Sequence, residues 1–113
     1  MIRSPAVAGH FYFYDSGMLL RQIQDFMDEG AVRRGVLGVM VPHAGFMYSG
    51  RVAGMVYSRI NPADSYVILG PNHTGMGPPC SLMREGLWRT PLGDVRVNSD
   101  LAEDIVVRSK YLE

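Results

Sequence analysis

The sequence predicts an α/β protein with a parallel or mixed sheet, flanking helices and a βαβ crossover. Two short apolar runs, 35–41 and 65–69, show almost no polar alternation, which is typical of strands covered on both faces. A helical pattern lies between them, and other helical patterns precede and follow the pair. A chain of 113 residues, 47% hydrophobic and 19% charged, is expected to form a single domain over residues 1–113.

The N-terminal part, residues 1–14, predicts an extended entry that ends in four consecutive aromatic residues. The first helix is expected to begin after a cap at Asp15 or Ser16, because a side-chain oxygen there can accept a backbone N–H. Gly30 is expected to end this helix. Five apolar residues share one face of it: Leu19, Leu20, Ile23, Phe26 and Met27.

The middle of the chain predicts the βαβ unit. The first buried strand ends at Pro42, and a loop over 43–50 leads into a helix that runs through about Arg59. A turn at 61–64 then precedes the second buried strand.

The C-terminal part predicts smaller elements. A short strand is expected over 80–83, and a hairpin or a bent strand pair over 86–97. The last helix is expected to start near Ser99, with Asp100 and Glu103 spaced as a capping box.

Charge and cysteine content exclude several functions. The 11 basic and 11 acidic residues balance, so no broad surface for nucleic acid or anionic membrane is expected. No apolar run reaches the roughly 18 residues that span a bilayer, and the N-terminus lacks the apolar region of a signal peptide. The single cysteine excludes an internal disulfide, which suits a cytoplasmic location.

Two histidines occupy matching places in the chain. His43 and His73 each follow one of the apolar runs and a proline, and each precedes a glycine. Loops that leave the carboxyl ends of parallel strands form the usual ligand crevice, so both imidazoles are expected to point into one site. Neutral imidazole is a common ligand for zinc, copper and iron. The alternative is that each histidine only hydrogen-bonds within its own loop.

Two ligands do not complete a metal site. A non-haem iron site takes two histidines and a carboxylate, and a zinc site usually takes three or four ligands. A phosphate-binding loop at 70–77 is disfavoured, because it lacks the lysine of a P-loop and Pro71 has no amide hydrogen. The remaining metal-ligand types have no diagnostic spacing; they are His10, Asp64, Cys80, Glu85 and Asp94.

Four segments together resemble the Memo family, also called AmmeMemoRadiSam system protein B. They keep the family's order and spacing over nearly the whole chain. The segments are Pro5-Ala6-Val7-Ala8-Gly9 with Phe11-Tyr12, Pro42-His43-Ala44-Gly45 with Tyr48-Ser49-Gly50, Ile68-Leu69-Gly70-Pro71-Asn72-His73-Thr74-Gly75, and Trp88-Arg89-Thr90-Pro91-Leu92-Gly93.

The resemblance implies a fold similar to the class III extradiol dioxygenases, the LigB-like fold, whose members hold non-haem iron. It also implies a pocket with three histidine ligands and a nearby cysteine, which takes an iron or copper ion. By motif, His43 and His73 match the first two of these histidines and are expected to be the catalytic metal ligands. Four further residues are expected to bind substrate: Tyr12, Phe46, where the family often has tyrosine, Tyr48 and Asn72.

The length of the family changes what is expected of this chain. Its members are more than twice as long, and their third histidine and pocket cysteine lie in the C-terminal half. The chain is therefore expected to be a truncated, N-terminal portion of a metal-binding redox protein, active as an enzyme only in the full-length form. Its expected partners are a small molecule, a peptide or protein, the C-terminal half, or a second copy. The alternatives are a non-catalytic binding module and an inactive fragment with an open sheet edge.

Overall fold

The computed structural model describes residues 1–113 and contains three helices and three strands. In chain order they are β1 (Ile2–Arg3), α1 (Ser16–Phe26), α2 (Phe46–Tyr57), β2 (Leu87–Thr90), β3 (Gly93–Arg96) and α3 (Ser99–Arg108). Helices together with a mixed sheet confirm the predicted α/β class. None of the helices is long and apolar enough to cross a lipid bilayer.

The chain divides into two compact units. The helical unit comprises Pro5–Ala63 and contains α1 and α2. The sheet unit comprises Met1–Ser4 and Asp64–Glu113 and contains the three strands and α3. The prediction of a single domain stays a prediction, because two contact clusters can belong to one domain.

Helix α1 forms as predicted at its start and ends earlier than predicted. The carboxylate of Asp15 accepts a hydrogen bond from the Met18 amide at 2.9 Å, which is the expected N-cap. Leu19 is buried on the face predicted for the core. The last helical residue is Phe26 and Met27 is the C-cap, so the helix stops before it reaches Gly30.

Glycine allows α2 to approach α1 closely. A Cβ at Gly54 would overlap the backbone carbonyl of Phe26, and one at Gly50 would overlap the Phe26 ring. The fully buried Ser58, just past α2, donates to the Gly54 carbonyl at 2.6 Å and accepts from the Asp28 amide at 2.8 Å. The end of α1 is therefore joined to the end of α2 by a buried hydroxyl as well as by apolar contact.

Helix α2 begins earlier than predicted. It starts at Phe46 after Gly45, so Tyr48 lies in its first turn and not in the preceding loop. At its other end the Arg33 guanidinium donates to the carbonyls of Tyr57 and Ile60, at 3.2 and 2.7 Å. Arg33 thus satisfies carbonyl groups at and just beyond the helix terminus.

The sheet unit contains the predicted hairpin and a strand that was not predicted. Strand β2 pairs antiparallel with β3, and Gly93 turns the chain with a positive φ of 133°. Strand β1 pairs in parallel with β2, opposite Leu87 and Trp88. The Arg3 guanidinium lies 4.7 Å from the centre of the Trp88 ring, a cation–π contact that holds β1 on the hairpin.

The cap of α3 differs from the prediction. Asn98, and not Ser99 or Asp100, is the N-cap, and its side chain accepts from the Leu101 amide at 3.1 Å. Glu103 forms no capping box with Asp100; it lies 3.6 Å from Arg84 in an ion pair.

The predicted strands over 35–41, 65–69 and 80–83 are wrong: none of these segments belongs to a helix or strand. A strand requires a neighbour for its backbone hydrogen bonds, and the only bridge near the first segment is a parallel one between Arg34 and Ile60. The first two segments are exposed along most of their length and not covered on both faces. Their apolar pattern is that of buried strands, but most of their apolar side chains are exposed.

Candidate functional site

The segment that carries His43 is fixed by the first turn of α2. The backbone amides of Tyr48 and Ser49 both donate to the Gly45 carbonyl, at 2.9 and 3.1 Å. The buried Ser49 hydroxyl donates to the Ala44 carbonyl at 2.8 Å. These bonds hold the peptide immediately after His43, whose side chain is exposed.

An aromatic pair lies beside this segment. The rings of Tyr12 and Phe46 are 5.1 Å apart between centroids, with their planes tilted by 37°. The Phe46 amide also donates to the Phe11 carbonyl at 2.7 Å. The structure therefore brings together two of the residues predicted to bind substrate. Tyr48 is on the outer side of the helix, with 80% of its surface exposed.

His10 lies in a tight turn that precedes Tyr12 in the sequence. Its amide and that of Phe11 both donate to the Val7 carbonyl, at 3.0 and 2.9 Å. Gly9 adopts a positive φ of 83°, and its amide donates to the Tyr12 carbonyl at 2.7 Å. The exposed His10 imidazole thus belongs to a turn that positions Tyr12.

The loop that carries His73 is built around Asn72. The Asn72 side-chain oxygen accepts from the Thr74 amide, the Thr74 hydroxyl and the Gly75 amide, at 3.2, 3.2 and 2.9 Å. Its nitrogen donates to the Met76 carbonyl at 2.9 Å. Gly75 takes a positive φ of 68°, which side-chain-bearing residues rarely adopt. Asn72 thus shapes the loop around the exposed His73, and its role in binding substrate stays a prediction.

The clearest electrostatic feature lies in the hairpin. Arg89 and Asp94 face each other across β2 and β3 and form two hydrogen bonds, at 3.0 and 3.1 Å. The hydrogen bond from Arg89 lowers the pKa of the Asp94 carboxyl, and the same bond raises the pKa of Arg89. Asp94 was one of the candidate metal ligands, but its carboxylate is engaged by a guanidinium at the surface.

Comparison with known protein families identifies the family to which the histidine segments and the hairpin belong. A family model described as Memo-like protein matches residues 3–113, nearly the whole chain. The chain belongs to the Memo-like family.

Several curated relatives carry the name MEMO1 family protein. The MEMO1 family protein MTH_45 of Methanothermobacter thermautotrophicus is 44% identical over 126 residues, which cover 100% of this chain and 45% of the relative. A MEMO1 family protein of Methanosarcina mazei is 48% identical over 90% of this chain and 38% of the relative. A third, TV1383 of Thermoplasma volcanium, is 41% identical over 99% of this chain and 43% of the relative. The chain spans less than half the length of these relatives.

The Memo-like chain supplies the right type of metal donor but not a complete set. His43 belongs to the helical unit and His73 to the sheet unit. Within either unit, no three His, Cys, Asp or Glu side chains cluster so that they could hold a metal ion. Cys80 is an exposed free thiol. Two imidazoles match the chemistry of an iron or copper site, but they fall short of the three protein ligands that a non-haem iron site uses.

Two serines that fix these elements were not among the residues predicted from the sequence. Ser49 and Ser58 are the buried polar residues of the chain, and both donate to backbone carbonyls of the α2 region. The spacing offered a signal: Ser49 stands four residues after Gly45, whose carbonyl also lies within 3.4 Å of its hydroxyl, and Ser58 stands four residues after Gly54, whose carbonyl it bonds at 2.6 Å. A serine at this spacing can bond the carbonyl one helical turn earlier.

Proposed function

We propose that this Memo-like chain contributes two of the ligands, His43 and His73, to a metal site that oxidises a small organic substrate. The observation that carries the proposal is the construction of the two histidine segments. In each of them a neighbouring polar side chain, Ser49 or Asn72, is committed to backbone groups next to an exposed imidazole. Fixed segments of this kind reduce the conformational entropy that is lost when ligands are gathered around an ion.

The ion in this proposal is iron or copper, since imidazole suits both. When bound, such an ion would supply redox chemistry of the kind that non-haem oxygenases carry out. The chain contains no group of three His, Cys, Asp or Glu side chains that could hold a metal ion. The proposed site therefore takes its third donor from outside this chain. The protein's own contribution is therefore to present two imidazoles and an adjoining apolar wall.

That wall is the Tyr12–Phe46 pair, with its rings 5.1 Å apart. Two aromatic rings in tilted contact provide an apolar surface, which suits a small aromatic or otherwise apolar substrate. In the proposal these two rings orient the substrate and exclude water, and Tyr48 adds a phenol at the rim. The proposed location is the cytoplasm, supported by the single exposed thiol and the absence of a disulfide.

Metal titration of matched histidine variants tests the proposal. The purified chain is loaded anaerobically with Fe²⁺, or with Cu²⁺, and bound metal is quantified after desalting. Changing His43→Ala or His73→Ala should each weaken metal binding by at least about tenfold, because even the loss of an outer-sphere partner commonly costs ~10- to 100-fold. His10→Ala is the control, since it removes an exposed imidazole of a different turn and should leave the affinity unchanged. Equal binding by all three variants would refute the proposed ligands.

A peptide-binding role is the second candidate, and it is favoured by one observation. The first turn of α2 exposes Tyr48 together with Met47, and aromatic and methionine side chains are common anchors at protein interfaces. A partner that binds there should lose affinity with Tyr48→Ala and keep it with His43→Ala. The opposite ranking would favour the metal site.

A further inference from the structure

The two segments 35–41 and 65–69 expose an unusual amount of apolar surface. Leu37 is fully exposed and Met40 is 92% exposed in the first segment, while Ile68 is 72% and Leu69 92% exposed in the second. By contrast, the buried apolar side chains of the chain are only Leu19 and Ala102. Scattered exposed apolar residues are ordinary, but consecutive runs usually mark an interaction surface.

The first segment, 35–41, pairs with no strand of the chain. Parallel pairing begins at Arg34, whose amide donates to the Arg59 carbonyl at 3.0 Å and whose carbonyl accepts from Asn61 at 2.9 Å. No strand pairing continues from Gly35 onwards. A chain segment with unpaired amides and carbonyls is the usual template for an added strand.

A cavity of about 660 Å³ adjoins the same segment within the helical unit. Apolar side chains from the segment and from the end of α2 line much of it, including Val36, Val39, Val56 and Ile60. Its charged lining residues are Asp28, Arg34 and Arg59, of which Asp28 and Arg59 form an ion pair at 3.0 Å. Most of the lining is apolar, so the cavity suits apolar side chains of a polypeptide.

We propose that 35–41 and 65–69 are docking surfaces for the polypeptide that forms the unmatched part of the Memo-like relatives. That part makes up more than half of each relative's length, so it is large enough to cover both segments. It adds strands beside the segments and places apolar side chains against them and in the cavity. The proposal does not depend on the metal site, because it concerns backbone pairing and apolar burial only.

The test combines this chain with the unmatched part of the Methanothermobacter thermautotrophicus relative. The two are co-expressed as separate polypeptides, and in a second arm they are joined in one chain so that poor solubility of the second piece does not decide the result. Amide hydrogen exchange is read by mass spectrometry in peptides covering 35–41 and 65–69. Compared with the isolated chain, these peptides should exchange at least roughly tenfold more slowly in both arms, since strand pairing raises the local opening free energy.

Matched lysine variants separate docking from a general effect of charge. Met40→Lys and Ile68→Lys should abolish the slow exchange of their own segments. Val52→Lys and Val107→Lys are the controls, since these apolar side chains are also exposed, at 53% and 74%, on helices of the same two units. The controls should retain the slow exchange.

Three results would overturn the proposal. One is fast exchange of both segments in the joined chain. Another is equal loss of protection in the control variants. The third is slow exchange in the isolated chain that depends on its concentration, which would show that the occupant is a second copy.

Discussion

Replacing Gly54 by alanine should separate α1 from α2 and destabilise the helical unit. The new Cβ would overlap the carbonyl oxygen of Phe26 and would lie 2.7 Å from its carbonyl carbon and 2.8 Å from its Cβ. Real Cβ atoms essentially never approach other atoms within 3.0 Å. These neighbours belong mainly to the backbone, so no rotation of a side chain relieves the overlap.

The expected magnitude follows from two opposed terms. Forcing an extra methyl group into a packed interface typically costs about 1–3 kcal/mol, and a backbone obstacle puts Gly54→Ala at the upper end. The better helix propensity of alanine offsets about 1 kcal/mol of this destabilisation. The net loss is about 2 kcal/mol, which corresponds to a roughly 30-fold change in the folding equilibrium.

Two other glycines provide graded controls. Gly50→Ala places its Cβ against the Phe26 ring, which can shift more easily than backbone, so its cost should be smaller. Gly17→Ala meets only the Asp15 carboxylate, at 3.4 Å, and should be neutral or stabilising by up to about 1 kcal/mol.

Amide hydrogen exchange measured in peptides from α1 and α2 provides the assay. Exchange should accelerate about 30-fold in Gly54→Ala, if opening precedes exchange in rapid equilibrium. Exchange in α3, in the other unit, should stay unchanged. An alanine at position 54 that leaves α1 and α2 as protected as in the original chain would refute the close approach of the two helices.

Three further predictions concern polar contacts. Ser58→Ala leaves the Asp28 amide without its side-chain acceptor and should cost about 1–3 kcal/mol, measured by urea unfolding followed by helical circular dichroism. Arg89 lowers the pKa of Asp94 in the folded protein below its value in the unfolded chain. The ion pair therefore stabilises the hairpin fully at a pH above the pKa of Asp94 in the unfolded chain, and this stabilisation is lost as the pH falls through the pKa of Asp94 in the folded protein. The hairpin should therefore loosen only below about pH 4, and Arg89→Gln should raise the Asp94 pKa toward its ordinary value in a carboxyl NMR titration. Asn72→Ala should speed amide exchange in its own loop by about tenfold without affecting α3, since several surface hydrogen bonds are lost together.

The sequence predicted best those elements that are stabilised locally. The Asp15 cap and the apolar face around Leu19 define α1 without reference to distant residues. The turn at Gly93 similarly defines the β2–β3 hairpin, in which each residue faces a partner close in sequence. Strand β1 was missed because two residues carry no periodicity, and its pairing with β2 spans more than eighty positions of the chain.

The predicted central strands are the elements in which the structure differs most from the sequence pattern. Residues 35–41 and 65–69 are apolar enough for the middle of a sheet, but burial depends on what lies beside them and not on their own composition. The start of α2 was misplaced for a related reason. Gly45 has no side chain that could mark it as a cap, and Phe46 is fixed by a bond to Phe11 far back in the chain.

The candidate site was predicted in parts. The pairing of Tyr12 with Phe46 is in the structure, although the sequence offered no reason for the rings to meet beyond the family resemblance. The roles of His43 and His73 as ligands to one ion remain the central prediction. Sequence could not resolve the third donor, because no His, Cys, Asp or Glu stands at a spacing that fixes its position in space.

Paramagnetic NMR tests that central prediction most directly. The chain has three histidines, so their imidazole signals can be assigned with His10→Ala, His43→Ala and His73→Ala. During a titration with Cu²⁺, we expect the signals of His43 and His73 to broaden together at the same substoichiometric addition, while that of His10 stays sharp. Broadening of His43 and His73 at separate copper additions, or of His10 before either, would contradict a shared metal site.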